Sequence, residues 1–225
     1  MNNKPFIFSL LCILGLAGIS LMTWLMLPEL ERYPIHWNIH GEADGFANRN
    51  AVLGVLMIIP ITQIFITAIF RFIPNIEPLR QNFEQSRAAY NIIWISTMAF
   101  MTAVGVMIVV MYQDGDNIPT EAPLKWLAGG FSLLLILIGN VLGKVRQNYM
   151  LGIRTPWTLS SELSWEKTHR IGGRLFVLLG VIGILLIALM PSIAFPIVIA
   201  AILGNVIFSC VYSYSIWKND PNKRS

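Results

Sequence analysis

Residues 175–214 run for 40 positions without an Asp, Glu, Lys or Arg. As one helix this stretch would be about 60 Å long at 1.5 Å per residue, twice the ~30 Å hydrocarbon core of a bilayer. Pro191 and Pro196 near its middle predict a break into a tight hairpin of two membrane-spanning helices. Composition agrees: 55% of residues are hydrophobic and 12% charged, half the roughly 25% charge of a soluble domain. That balance excludes intrinsic disorder. Cys12 and Cys210 are the only cysteines and both sit in apolar runs, which excludes a disulfide scaffold.

Four more spans follow from the same measure: residues 6–27, 52–72 (with Arg71 at its end), 92–111 and 126–142. The total is six, in two three-span halves, 1–112 and 113–225. Gly15-Leu16-Ala17 resembles a signal-peptidase triplet, but the apolar stretch continues ten residues beyond it, favouring an uncleaved first helix.

Lys and Arg counts in the flanks set orientation. With a cytoplasmic N-terminus, thirteen basic residues fall inside and only Arg32, Arg49 and Lys125 outside, while seven of the twelve acidic residues fall outside. Both termini are then cytoplasmic. The net +4 resolves into +8 inside and −4 outside, so the basic pI reflects topology and predicts no direct nucleic-acid partner. The expectation is an all-α, multi-pass plasma-membrane protein.

The span interiors hold no ionisable side chain, which argues against an ion-coupled transporter or an intramembrane protease. Gln63, Asn140 and Asn205 read as helix-to-helix glue.

Two loops carry information. In the outer one, Pro28 ends the first helix and Tyr33-Pro34 forces an extended path. Ile35, Trp37 and Ile39 alternate with His36, Asn38 and His40, the period of a short strand. Gly41 and Asp44-Gly45 supply turn chemistry, and Trp37 and Phe46 suit the membrane interface. His36, His40, Glu42 and Asp44 can be read as a metal site, but the spacing matches no standard zinc pattern. A folded, partner-binding loop is the better reading. No metal, cofactor or catalytic residue is expected.

The inner loop, residues 148–174, is denser. Gly152 allows a close approach, and Thr155-Pro156 sets an extended turn. Ser160 or Ser161 can cap a helix with Glu162 in its first turn. Glu166 and Arg170 form an i,i+4 pair, Trp165 and His169 share a face, and Gly172-Gly173 frees the chain before the fifth span. One reading is an interfacial helix anchored by Trp157 and Trp165, with Arg on membrane lipids. The other is a binding surface. Residues 74–91, with Leu79, Phe83 and Tyr90 at near-helical spacing, read as an extension of the third span lying partly on the membrane, with no chemistry of their own.

Together the loops resemble the SdpI family of bacterial membrane immunity proteins and the domain of unknown function associated with it. The outer loop is similar to that domain through Leu27-Pro28, Pro34-Ile35-His36-Trp37-Asn38 and Gly41-Glu42-Ala43-Asp44-Gly45. The inner loop is similar to the SdpI signature through Asn148, Gly152-Ile153-Arg154-Thr155-Pro156-Trp157, Trp165, Thr168-His169-Arg170 and Gly172-Gly173. The resemblance implies protection against a secreted antimicrobial peptide toxin, and signalling in which the toxin-occupied protein holds a transcriptional repressor at the membrane. His36, Trp37, Asn38, Gly41, Asp44 and Gly45 would then meet the ligand. Asn148, Gly152, Arg154, Thr155, Pro156, Trp157, Trp165, Thr168, His169, Arg170 and Gly172 would dock a partner or hold the fold. The rival readings are a metal-dependent membrane hydrolase and a peptide transporter or exporter.

Overall fold

A computed structural model describes residues 3–38, 42–114 and 122–223. Six long helices dominate it: α1 (Lys4–Met26), α2 (Arg49–Ile76), α4 (Arg87–Asp114), α5 (Ala122–Leu142), α7 (Glu162–Leu189) and α8 (Pro191–Lys218). All six are long and apolar enough to cross a membrane. Their outward faces expose Leu11, Phe65, Ile92, Leu133, Leu185 and Ile207, one from each helix, as lipid-facing surfaces do. This is the predicted six-span, helical membrane architecture. Two short strands, β1 (Tyr33–Trp37) and β2 (Ala43–Ala47), and two short helices, α3 (Arg80–Gln85) and α6 (Pro156–Ser160), fold the loops.

The boundaries have local causes. α1 stops at Met26 two residues before Pro28. α2 starts where the Asn48 side chain accepts the Ala51 N–H at 3.1 Å, and α7 where Ser161 accepts the Ser164 N–H at 2.9 Å. The charge-free run breaks at Met190, and Pro191 opens α8 at its first position, where a missing N–H costs nothing. Pro196 was also expected to break it, but lies inside α8.

α5 and α7 are the most closely apposed pair, because glycines line their crossing. A Cβ on Gly139 would lie 2.6 Å from the Gly173 carbonyl oxygen, and one on Gly173 would lie 2.7 Å from that of Gly139. Gly180 repeats the device against the Ser132 carbonyl. With lipid as apolar as leucine, such backbone approach is what binds membrane helices. α8 packs on α7 and α5, α1 on α2 and α4, and α4 on α5.

The segment 74–91 departs from expectation. Ser86 separates α3 from α4, and Phe83 and Tyr90 are buried rather than spread on a membrane. They join Trp94, Met98, Val141, Val145, Leu151 and Trp165 in one core cluster that draws on both halves of the chain. A second cluster, Leu27, Tyr33, Val52, Leu56 and Val109, lies at the opposite end.

Candidate functional site

At that opposite end stands the hairpin. β1 and β2 pair antiparallel, with Tyr33 opposite Ala47 and Trp37 opposite Ala43, and the register shifts around His36. Of the expected alternation, Ile35 and Trp37 are half-buried and His36 is exposed, but Asn38 is half-buried too and Ile39 lies outside the described residues; Tyr33 points inward. The Tyr33 hydroxyl donates to the Pro28 carbonyl and accepts the Leu30 N–H at 3.1 Å, folding the Leu27–Pro28 corner around one ring. Trp37 packs edge-on against Tyr112 of α4, with centroids 6.0 Å apart, and the Tyr112 hydroxyl donates to Pro34 at 2.6 Å. Arg49 donates to the carbonyls of Trp24 and Leu25 at 3.0 and 3.1 Å, capping α1.

The hairpin residues singled out in the sequence bond to one another. His36 Nδ1 lies 2.5 Å from an Asp44 carboxylate oxygen. Asn38 donates through Nδ2 to Glu42 at 2.9 Å and accepts the Glu42 N–H at 3.0 Å. Asp44 and Gly45 sit inside β2 and not in a turn, and a Cβ on Gly45 would lie 2.8 Å from that of His36. Glycine is therefore needed there for strand-to-strand approach. Gly41 and His40 lie outside the described residues. Among the described residues no group of three or more His, Cys, Asp or Glu could hold a metal.

The other end carries a compact module built from residues 143–161 and the starts of α4 and α7. Asn148, fully buried, organises its first turn. Its Oδ1 accepts the N–H groups of Met150 and Leu151 at 2.9 and 2.7 Å, and its Nδ2 donates to the carbonyls of Arg146 and Leu151. Gly152 has φ +110°, a conformation open to glycine, and a Cβ there would overlap the His169 ring. That absence lets the Ile153 N–H reach His169 Nε2 at 2.9 Å. His169 Nδ1 faces the Trp165 carbonyl at 2.8 Å, so the ring is neutral with its proton on Nδ1. Thr155 and Thr158 form a reciprocal capping box, with Pro156 in the first turn of α6. Gly172 leaves room for Ile153 and Ser209, and Trp157 packs edge-on against Tyr214 of α8.

Trp165 was a candidate interfacial anchor. It is instead 1% exposed, donates from Nε1 to Val145 at 2.8 Å and stacks on His169 at 4.0 Å. A ring with its N–H satisfied and both faces covered belongs to the core. Thr168 is likewise buried, whereas Arg154, Pro156 and Arg170 are exposed. Arg154 donates to the Tyr149 carbonyl at 2.7 Å. Glu166 reaches Arg146 at 3.5 Å, the two lying beside Lys144, Arg170 and Glu162 around a cleft of about 450 Å³.

Several structural residues were not singled out in the sequence. Glu77 is buried, and its carboxylate accepts the Leu79 N–H at 2.8 Å and the Tyr149 N–H at 3.0 Å, tying the end of α2 to the module. Gln147 donates to the Thr158 and Leu159 carbonyls, Asn82 donates to Gln147, and the Ser86 hydroxyl accepts the Arg146 N–H at 2.8 Å. The Ser161 hydroxyl donates to Asp220 at 2.5 Å, and the Asn222 N–H adds a bond at 2.9 Å. The serine hydroxyl first, and then the amide, hold the Asp220 carboxyl below the usual carboxylate range. A Glu set between the apolar Ile76 and Pro78 was the available signal for Glu77.

The fold thus defines a multi-pass membrane protein with a folded element at each end of its helix bundle. Residues 144–213 match the model of the SdpI/YfhL protein family, and residues 10–61 match that of a domain of unknown function, DUF1648. The first stretch contains the Asn148–His169 module and the second contains the hairpin, in accord with the two-loop resemblance. The chain is 32% identical over 89 residues to the Immunity protein SdpI of Bacillus subtilis (strain 168), a match covering 40% of this chain and 43% of that relative. No solved structure matches significantly.

Proposed function

We propose that this chain is a membrane immunity protein that protects a cell from a secreted antimicrobial peptide toxin. The carrying observation is the 32% identity to an immunity protein. Both termini would be cytoplasmic, a reading supported by the thirteen-to-three division of Lys and Arg. The hairpin would then face outward, on a side with a formal charge of −4 that attracts a cationic peptide. Its exposed residues, His36, Asp44 and Phe46, offer polar and aromatic contact on a braced two-stranded support.

The inner module would signal by docking a cytoplasmic transcriptional repressor. The family resemblance supports this, as does the exposure of Arg154, Pro156 and Arg170 beside the buried Asn148, Thr155, Trp165, Thr168 and His169. The test is survival of toxin-challenged cells producing the protein. Protection above an empty vector is expected. Survival equal to the vector across secreted membrane-active peptide toxins, with the protein confirmed in the membrane, overturns the proposal.

A further inference from the structure

The hairpin and the inner module lie at opposite ends of the bundle, yet one pair of helices runs from each to the other. β2 ends at Ala47 and α2 begins at Arg49, so only Asn48, whose side chain caps α2, separates them. α4 ends beside the same hairpin, where Tyr112 donates to the Pro34 carbonyl and packs on Trp37. Tyr33 of β1 clusters with Val52 and Leu56 of α2 and with Val109 of α4. At the other end, the segment 77–86 joins α2 to α4 and holds the module through three side chains. Glu77 accepts the Tyr149 N–H, Asn82 donates to the Gln147 carbonyl and Ser86 accepts the Arg146 N–H.

α2 has 28 residues and spans about 42 Å. A helix of that length passes on a displacement only if it does not give way between its ends. Pro60 and Pro74 are the points where it would, since each lacks an N–H and so frees the carbonyl four residues back, those of Leu56 and Phe70. Neighbouring helices take up both. The Ser20 hydroxyl of α1 donates to Leu56 at 3.2 Å, and the Tyr90 hydroxyl of α4 donates to Phe70. Between them Gln63 donates to Thr102 of α4 at 2.8 Å, and Phe70 stacks on Trp94 of α4 with ring centroids 5.4 Å apart. In lipid no water is at hand to satisfy a loosened carbonyl, so these bonds resist opening. We propose that α2, the segment 77–86 and α4 form one lever that couples the hairpin to the module, so that displacing β2 shifts residues 146–149. The coupling bears on the signalling reading but does not rest on it. It is a property of the fold, measured without toxin or repressor, and its failure leaves the immunity reading standing.

The test is hydrogen–deuterium exchange of the full chain in lipid nanodiscs. Gly45→Ala places a Cβ 2.8 Å from that of His36 and forces the two strands to shift. Exchange of the 145–151 amides should then rise by about fivefold or more, the lower end of coupling between distant sites. Such coupling is reciprocal. Asn82→Ala, which releases the Gln147 carbonyl, should therefore raise exchange of the hairpin amides 35–37 and 43–47. Trp126→Ala, an exposed position near the start of α5 and outside the lever, should raise neither. Amides 180–187 within α7 serve as the reference and should stay protected throughout. Unchanged module exchange in Gly45→Ala overturns the proposal, as does unchanged hairpin exchange in Asn82→Ala. A rise shared by amides 180–187, or matched by Trp126→Ala, also overturns it, because it marks general loosening and not a path between the two ends.

Discussion

The Ile153 N–H donates to His169 Nε2 across 2.9 Å, joining the tip of the inner loop to the second turn of α7. The bond exists because Gly152 presents no Cβ to the ring. Gly152→Ala must therefore accept both an unfavourable backbone at φ +110° and an overlap with the imidazole. The expected cost is about 2–4 kcal/mol. It should appear as a lower thermal midpoint in detergent and reduced membrane levels, whereas Arg154→Ala, two residues on and exposed, should change the midpoint little.

Glu77 offers a sharper contrast between two substitutions. Its Oε1 lies 2.8 Å from the Leu79 nitrogen and 3.3 Å from that of Tyr149, and its Oε2 lies 3.0 Å from the latter. In Glu77→Gln one oxygen can still accept both N–H groups, so a loss of about 1 kcal/mol is expected. Glu77→Ala strands both donors in a buried place, and roughly 2–4 kcal/mol should be lost. Chemical or thermal unfolding of the purified variants checks the order. Equal losses would show that the carboxylate does not clamp the loop.

Asp220 carries a pH signature. Its carboxyl is held low by the Ser161 hydroxyl and then by the Asn222 N–H. A group whose folded pKa is depressed adds stability above its unfolded value, near 4. That stability fades as pH falls through the folded value. Wild type should thus exceed Asp220→Asn in thermal midpoint at pH 7, with the gap closing below about pH 4. Ser161→Ala should narrow the gap in the same window, though it also removes the cap of α7. A gap that is constant from pH 7 to pH 3 would contradict this assignment.

How much of this was legible in the sequence depended on the distance over which a residue acts. Hydropathy located every span because a span is a local property. Alternation from Ile35 to Trp37 anticipated β1, and the serines before Glu162 anticipated the α7 cap, since both depend on near neighbours. Trp165 and His169 were correctly placed on one face. Periodicity does not say what that face meets, however, and Trp165 turned out to meet Val145 and the core rather than lipid. Phe83 and Tyr90 were misplaced for the same reason. Asp44-Gly45 looked like a turn because Gly is rare in strands, but the glycine answers the His36 side chain across the hairpin. Glu77 and Asn148 act on segments whose approach only the folded chain reveals. In the candidate site, the residue types were legible and the division into buried and exposed members was not.

That division yields the functional prediction. Phe46 is 49% exposed on β2, while Tyr33 is 2% exposed beneath the hairpin. If the hairpin receives a peptide toxin, Phe46→Ser removes contact area from the exposed side without disturbing the Tyr33 hydroxyl bonds to Pro28 and Leu30. Its folding cost should stay within about 0.5 kcal/mol, as for an ordinary surface change. Protection should nevertheless fall, because an aromatic side chain contributes more than its share to a binding surface. Tyr33→Phe should act differently, lowering membrane levels and protection together by freeing the Leu30 N–H and the Pro28 carbonyl. Surviving fractions over a toxin series, normalised to membrane levels by immunoblot, separate the two outcomes. Undiminished normalised protection in Phe46→Ser would move the toxin contact away from this face of β2.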